Sequence, residues 1–216
     1  MGGRGVYSLS GLNSLRRTKQ EDKKVSDNLR KAIGYLGAPA TIEQAMMRAN
    51  EDVESGKDGF MENCYNVVVA YELQRRGYDV KANEHNPKLN LGETIYPYGF
   101  AAGYMTSRWA GAFRGAKFEH VGDKSKNVTV NNLTNKIKSY GNGARGAIQF
   151  EVKDRSLGHV LNFENKGGKI LLIDAQERAK YNMRDILPLI RTTTVNVVRT
   201  DNLRLSDRAK NSVSVR

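Results

Sequence analysis

The chain has 216 residues and a mass of 24.1 kDa, which is enough for one buried core with a small appended segment. Its 35 lysines and arginines outweigh 23 acidic residues, and the formal net charge of +12 points first to a nucleic-acid or acidic partner. A single cysteine, Cys64, excludes internal disulfides and multi-cysteine zinc sites, and no two of the three histidines are spaced as a metal pair. We therefore expect no metal and no cofactor.

No apolar run approaches the roughly 20 residues that a membrane-spanning helix needs, and the first residues lack the apolar stretch of a signal peptide. This excludes a transmembrane protein and predicts a location in the cytoplasm, in a host cell after delivery, or in a virion. Residues 1–25 are rich in Gly, Ser, Arg and Lys, and they carry six cationic and two acidic side chains. They are predicted to form a flexible basic arm. Either the arm binds a nucleic acid or an acidic partner, or the positive charge, which is scattered over the rest of the chain, is only a solvated basic surface.

Two helices are predicted after the arm. The first spans Ser26–Leu36 and stops at Gly37, and the second starts at Thr41, where Thr41 and Gln44 fit a capping box. The most regular helical pattern of the chain follows.

That pattern covers Glu62–Gly77, with apolar positions at the helical period and Gly77 as the C-terminal cap. Arg75 and Arg76 lie in its last turn, where positive charge suits the helix dipole. Tyr78–Ala82 alternates like a short strand.

Residues 83–143 show no clear period apart from a predicted helix over Val128–Ser139. The chain then becomes β-rich. The predicted elements are strands at Ala147–Val152, His159–Phe163 and Lys169–Asp174, a helix at Met183–Ile190 and a strand at Thr193–Arg199. Residues 201–216 are predicted to be a polar, loosely structured tail.

Cys64 is predicted to lie in the first turn of its helix. Free amide N–H groups and the positive end of the dipole favour a thiolate at such a position, and the same amides can receive an oxyanion. The alternative is a small buried apolar residue, which is what a lone cysteine usually is.

A hairpin signal follows at Asn165–Gly168 between two apolar runs. If the turn centres between Lys166 and Gly167, His159 lies directly opposite Asp174 on one sheet face, where the carboxylate can accept a hydrogen bond from the imidazole. A register shift of one residue would separate them. The alternative is two polar residues that satisfy only local groups.

A cysteine at a helix start followed by a histidine–aspartate pair provides the groups of a thiol nucleophile site. The chain resembles the papain-fold toxin glutamine deamidase family. The resemblance covers roughly residues 59–176 and is carried by five stretches in the same order: Asn63-Cys64 before the helix, Arg76-Gly77-Tyr78-Asp79-Val80, Gly146 with its strand, Gly158-His159-Val160-Leu161-Asn162, and Ile173-Asp174-Ala175-Gln176.

The resemblance implies an α+β, papain-like cysteine hydrolase fold over residues 26–200, in which the helix of Cys64 packs on an antiparallel sheet that carries His159 and Asp174. It implies that Cys64 is the nucleophile, His159 the general base and Asp174 the residue that orients the histidine. Asn63, Asn162 and Gln176 match positions beside the site and are expected to support it.

The function implied is that of a toxin or effector that converts glutamine side chains of a host protein to glutamate after delivery into the host cell. Two alternatives remain open. The same groups would serve a cysteine peptidase, because a peptide bond meets the nucleophile in the same way. The fold could also be kept in a non-enzymatic, phage- or virion-associated protein that binds nucleic acid through its basic arm.

Overall fold

The computed structural model describes residues 9–85, 109–155 and 158–216, with side chains from residue 18 onward. The helices are α1 Leu9–Ile33, α2 Ile42–Arg48, α3 Asp58–Met61, α4 Cys64–Gln74, α5 Lys126–Ser139 and α6 Met183–Ile186. The strands are β1 Val80–Ala82, β2 Glu119–His120, β3 Arg145–Glu151, β4 Gly158–Lys166, β5 Lys169–Asp174, β6 Ala179–Tyr181, β7 Asn196–Arg199 and β8 Val213–Val215. Short 3-10 helices occupy Glu51–Ser55, Thr192–Thr194 and Asp207–Asn211. The predicted α+β class is confirmed.

The main sheet has two helix-covered faces. Within the described ranges, six strands pair antiparallel in the order β2-β7-β3-β4-β5-β6, and β1 pairs with β8 separately. Because successive side chains of a strand point to opposite faces, the apolar residues of β3, β4, β5 and β7 divide into two clusters. One contains Ala147, Val160, Ile173 and Val198 with the residues of α4, and the other contains Ile148, Leu161, Phe163 and Leu172 with Leu133 and Ile137 of α5.

Helix α4 is the centre of the first cluster. Every residue from Asn66 to Gln74 is buried, since the sheet covers one side of the helix and α2, β1 and β8 cover the other. The predicted helix over Glu62–Gly77 is confirmed in a shorter form. Gly77 adopts φ +91° and its N–H donates to the Gln74 carbonyl at 3.0 Å, as expected of a C-terminal cap.

The prediction of a flexible arm over residues 1–25 is wrong for residues 9–25, which belong to helix α1. This helix also replaces the one predicted over Ser26–Leu36, and it ends at Ile33, where Gly34 takes φ +74°. Apolar burial and ion pairs both hold α1 to the rest of the chain. Leu29 and Ile33 are buried in the first cluster, and the Asp22 carboxylate pairs with Arg114 and Arg204. The prediction failed because it relied on the polar composition of this segment, whereas an amphipathic helix needs only a narrow apolar face.

The prediction of a loose tail over residues 201–216 is also wrong. Val213–Val215 pairs with β1, and Ala209 and Val213 are buried in the same cluster as α4. The final residue is also fixed, because Arg216 pairs with Glu51 at 2.8 Å. These contacts are long-range, so local composition gave no sign of them.

The other predictions of the second half are mostly confirmed. The strands β3, β4 and β5 lie where they were expected, and α5 begins at Lys126 with Ser125 as its N-cap, two residues before the predicted start. The helix predicted over Met183–Ile190 ends at Ile186, just before Pro188, whose ring cannot continue a helix. The strand predicted at Thr193 starts at Asn196.

Part of the segment that shows no clear period, residues 86–108, lies outside the described residues. In the part of the chain that the structure describes, none of the helices combines the length and the apolar character needed to cross a bilayer.

Candidate active site

Cys64 is the first residue of α4 and is half-buried. The preceding residue, Asn63, is fully buried and its amide donates to Asn50 Oδ1 and to the Asn83 carbonyl, both at 3.0 Å. Its side chain makes no capping bond to the helix. The backbone carbonyl of Asn63 instead accepts from the N–H groups of Asn66 at 2.8 Å and Val67 at 3.1 Å, so the helix begins on the backbone of Asn63 and not on its side chain.

Asp174 ends β5 and is 5% exposed. Its Oδ1 accepts from the backbone N–H groups of Gln176 at 3.1 Å and Glu177 at 3.2 Å. Its Oδ2 lies 2.6 Å from Nε2 of His159. One carboxylate oxygen is thus held by the following turn, and the other is directed at the imidazole.

The predicted contact between His159 and Asp174 is confirmed, but the predicted register is wrong. The observed pairs include Phe163 with Leu172 and Lys166 with Lys169, so the strands are shifted by two residues and the turn is Gly167–Gly168. Both glycines have positive φ, +61° and +87°, as the tightest hairpin turns require.

The contact survives because a shift of two keeps every side chain on its face. Continued past its last pair, the observed register would place Asp174 opposite Leu161. His159 is then its diagonal neighbour on the same face, a position still within reach of an aromatic ring. A shift of one residue would have directed the two side chains to opposite faces.

The environment of His159 favours its charged form. Burial alone would lower the pKa of the imidazole, but the hydrogen bonds to Asp174 and Cys64, together with their negative charges, outweigh it and raise the pKa to about 10. Because Nε2 is bound to Asp174, Nδ1 is the nitrogen left for Cys64. The structure therefore brings together a thiol, an imidazole and a carboxylate that the sequence separates by 95 and 15 positions.

Two of the supporting residues join the strands to the start of α4. The Gln176 side chain donates to the carbonyl of Met61, three residues before Cys64, while its backbone N–H binds Asp174. The Asn162 amide donates to the carbonyl of Val68 at 3.2 Å, one helical turn after Cys64. Asn162 thus connects α4 with β4, and Gln176 connects the end of α3, just before Cys64, with the turn after β5.

The sequence did not predict two contacts beside the site, that of Phe150 with His159 and that of Tyr65 with His85. The ring of Phe150 packs edge-on against His159, with centroids 5.8 Å apart, and these residues are cross-strand partners between β3 and β4. Tyr65, next to Cys64, places its hydroxyl 2.5 Å from Nδ1 of His85. Only a correct register of β3 and β4 would have revealed Phe150, and no local signal pointed to His85.

We expect the imidazole of His159 to stay protonated across neutral pH and to lose its proton near pH 10. Because the pKa in the folded state lies above the ordinary value of 6.5, the stabilisation is complete below about pH 6.5 and is lost as the pH rises towards 10. The measurement is NMR titration of the imidazole in a His85→Gln/His120→Gln background, which leaves one histidine.

Asp174→Asn removes the negative charge beside His159 and replaces the oxygen that accepts from its Nε2 with an amide N–H. It should therefore lower the pKa of His159 substantially. An imidazole that titrates near 6.5 in the parent protein, or that responds to neither Asp174→Asn nor Cys64→Ser, would contradict the charge arrangement described here.

A comparison with protein families matches residues 62–179, more than half of the chain, to the model of papain fold toxin 1, glutamine deamidase. The chain belongs to this family. The resemblance inferred from the sequence is confirmed, and its expected bounds of about 59–176 differ from the match by three residues at each end. No curated protein matches the sequence.

The matched region of this papain fold toxin 1 member includes Cys64, His159 and Asp174 as well as Asn63, Asn162 and Gln176. It leaves out residues 1–61, with α1, α2 and α3, and residues 180–216, which begin within β6. The candidate site therefore lies within the matched region, whereas α1, β7 and β8 lie outside it.

Proposed function

We propose that this protein is a thiol hydrolase that converts glutamine side chains of a protein substrate to glutamate, with Cys64 as nucleophile, His159 as acid and base, and Asp174 as the residue that orients His159. The observation that carries the proposal is that His159 is hydrogen-bonded both to Asp174, at 2.6 Å, and to Cys64, in a chain that belongs to a glutamine deamidase family.

The imidazole whose charged form is favoured lies beside the thiol that the proposed reaction needs as a thiolate. The thiolate is the nucleophilic form of cysteine, and an adjacent imidazolium stabilises it. Asp174 in turn stabilises the imidazolium and fixes which nitrogen faces the sulfur, because its own position is set by two backbone N–H groups.

The reaction proceeds in two halves. The Cys64 thiolate attacks the side-chain carbonyl carbon of glutamine, and the tetrahedral intermediate collapses as Nδ1 of His159 gives its proton to the departing ammonia. A thioester between Cys64 and the substrate remains. Neutral His159 then takes a proton from water, the hydroxide attacks the thioester, and glutamate and the thiolate are released with His159 again protonated.

The first turn of α4 supports this chemistry. The oxyanion of each tetrahedral intermediate would form beside Cys64, where the backbone N–H of Cys64 and the positive end of the helix dipole stabilise negative charge. Donors of this kind are typically worth a hundredfold to a thousandfold in rate, on the order of 3–4 kcal/mol each.

The substrate that we propose is an accessible glutamine in a protein of a host cell, into which this protein is delivered as a toxin. The family is a toxin family. A peptidase would use the same nucleophile, so the products must separate the two activities.

The test is to incubate the protein with a lysate of candidate host cells and to map the products by mass spectrometry. We expect specific glutamines to gain the mass of an amide-to-acid conversion and ammonia to be released in equal amount. The matched control is Cys64→Ala, treated identically, which also corrects for spontaneous deamidation.

New peptide termini that depend on Cys64, without converted glutamines, would replace the deamidase proposal with a peptidase. Neither change, in a protein whose thiol still reacts rapidly with iodoacetamide at pH 6, would mean that these lysates contain no substrate. A thiol that reacts slowly at pH 6, and no faster than in His159→Ala, would overturn the proposal.

A further inference from the structure

A cavity of about 480 Å³ lies between α1 and the segment of residues 203–205. Arg76 and Tyr78, which follow the C-terminal end of α4, form its inner wall. Cys64 stands at the other end of this eleven-residue helix, about 16 Å away along the axis. The cavity is therefore separate from the candidate active site, and most of its lining lies outside the family match.

The lining is strongly basic. Among the described residues that border the cavity, five are cationic and one is acidic, a formal charge of +4; they are Lys19, Lys23, Arg30, Arg76 and Arg204 against Asp22. This charge already includes the carboxylate of Asp22, which pairs with Arg204 in the lining and with Arg114 outside it at 2.9 Å. An anion in the cavity would meet little local repulsion.

Three of the cations stand on one face of α1. Lys19, Lys23 and Arg30 are separated by four and seven residues, so that they follow one another along the helix with Ser26 between them. Lys23 lies 3.6 Å from Asp27, but both side chains are well exposed, and such a pair contributes little. Arg76 is different: its guanidinium is bound to Glu72 and to the carbonyls of Thr200 and Leu203.

The rest of the lining is aromatic and apolar. The rings of Tyr35 and Tyr78 meet edge-on with centroids 5.0 Å apart, and the Arg30 guanidinium lies 4.5 Å from the centroid of the Tyr35 ring. Leu203 and Leu205 complete the lining. Tyr35 is 40% exposed, so its ring is available to stack on a planar group of a ligand.

From this arrangement we propose that the cavity binds a small phosphate ester with an aromatic base, that is, a nucleotide. The phosphates would lie against Lys19, Lys23 and Arg30, and the base would contact the tyrosine and leucine wall. The volume suits one small molecule, and the tyrosine and leucine wall gives a planar base an apolar contact, so we assign the cavity to a free nucleotide. An extended polynucleotide would also contact the lysines of α1 outside the lining, Lys24 and Lys31. The proposal does not rest on the deamidase activity.

Isothermal titration calorimetry with ADP tests the proposal on the full chain at low ionic strength, with inorganic phosphate and adenosine as partial probes. We expect ADP to bind with a stoichiometry of one and each partial probe to bind at least about tenfold more weakly, because each lacks half of the contacts. Affinity should fall as salt is added.

The decisive comparison is Lys23→Ala/Arg30→Ala against Lys24→Ala/Lys31→Ala, which removes the same charge from the same helix outside the cavity lining. We expect the first pair to weaken ADP binding by at least about tenfold and the second by less than about threefold, with circular dichroism unchanged in both.

Equal loss in the two double variants would show attraction to overall charge and would overturn the site, as would no binding of ADP. A single-stranded oligonucleotide or an anionic vesicle that displaces ADP at far lower concentration would instead make the cavity part of a nucleic-acid or membrane surface and would overturn the small-molecule assignment.

Discussion

Cys64→Ser is expected to lower the rate of glutamine deamidation by at least about a thousandfold. A serine hydroxyl in place of the thiol is far less acidic, so the imidazolium of His159 cannot hold it in its nucleophilic form, and no thioester can form. The fold should be retained, since the two side chains differ by a single atom and Cys64 is half-buried.

Asp174→Asn tests the carboxylate in the same way. It retains the shape of the side chain but removes the charge that stabilises the imidazolium, and an amide N–H can face Nε2 of His159, which favours the wrong tautomer. A loss of about a thousandfold to ten thousandfold is expected, mostly in kcat because the charge acts on the reacting groups. Asp207→Asn, on an exposed 3-10 helix, is the matched control.

The deamidation rates of Cys64→Ser and Asp174→Asn are measured as ammonia release from the glutamine substrate identified by mass spectrometry. A Cys64→Ser variant that retains more than a tenth of the activity would exclude Cys64 as the nucleophile. An Asp174→Asn variant with full activity would leave Cys64 and His159 in place and would remove Asp174 from the mechanism.

Glu164→Ala is expected to lower the free energy of unfolding by about 3–5 kcal/mol. The carboxylate of Glu164 is 5% exposed and accepts from Arg75 at 2.6 and 3.1 Å and from the Tyr71 hydroxyl at 2.7 Å. Burial and the neighbouring charge of Glu164 already raise the pKa of Tyr71. Without the carboxylate, a half-buried guanidinium and a buried hydroxyl lose their partner.

A second buried glutamate belongs to the same region. Glu72 is 1% exposed and accepts from Arg76 at 2.7 Å and from Arg145 at 2.9 and 3.1 Å. Together these pairs connect the last turns of α4 with β3 and β4. Since α4 also carries Cys64, the same contacts hold the helix in register with the strand of His159.

Urea unfolding measures the effect, with a double-mutant cycle of Glu164→Ala and Arg75→Ala. The double variant should be less destabilised than the sum of the two single variants, because it leaves no unpaired charge. Glu54→Ala is the control: its carboxylate pairs with Arg178 but is 73% exposed, and it should lower the unfolding free energy by less than about 1 kcal/mol. Equal effects at Glu164 and Glu54 would contradict the buried network.

Arg75 and Arg76 show the limit of reasoning from neighbouring residues alone. The sequence places them at a helix end, and the dipole accounts for two cations there. In the structure α4 ends at Gln74, and both arginines are held by glutamates, one of them 89 positions away. A charge pattern within one helix indicates solvated or dipole-stabilised residues, and only the fold shows which charges are buried.

The site was predictable to the extent that short-range rules govern it. Period and capping placed Cys64 in the first turn of its helix and Gly77 as the C-terminal cap, and alternation with the glycine turn placed β4 and β5 beside each other; the helix itself is shorter than predicted, Cys64–Gln74. The two-residue error in register had no effect on the pairing of His159 with Asp174, because faces repeat every two residues.

The sequence by itself determined the α+β class, the helix of Cys64, the hairpin of His159 and Asp174, and the family. The tertiary structure decided where α1 and the last residues lie, which strand is the neighbour of which, and that the three chemical groups meet. The physical reason is range: hydrogen bonds within a helix or a hairpin are encoded by adjacent residues, whereas Leu29, Val213 and Arg75 are buried or paired by partners that become neighbours only when the chain folds.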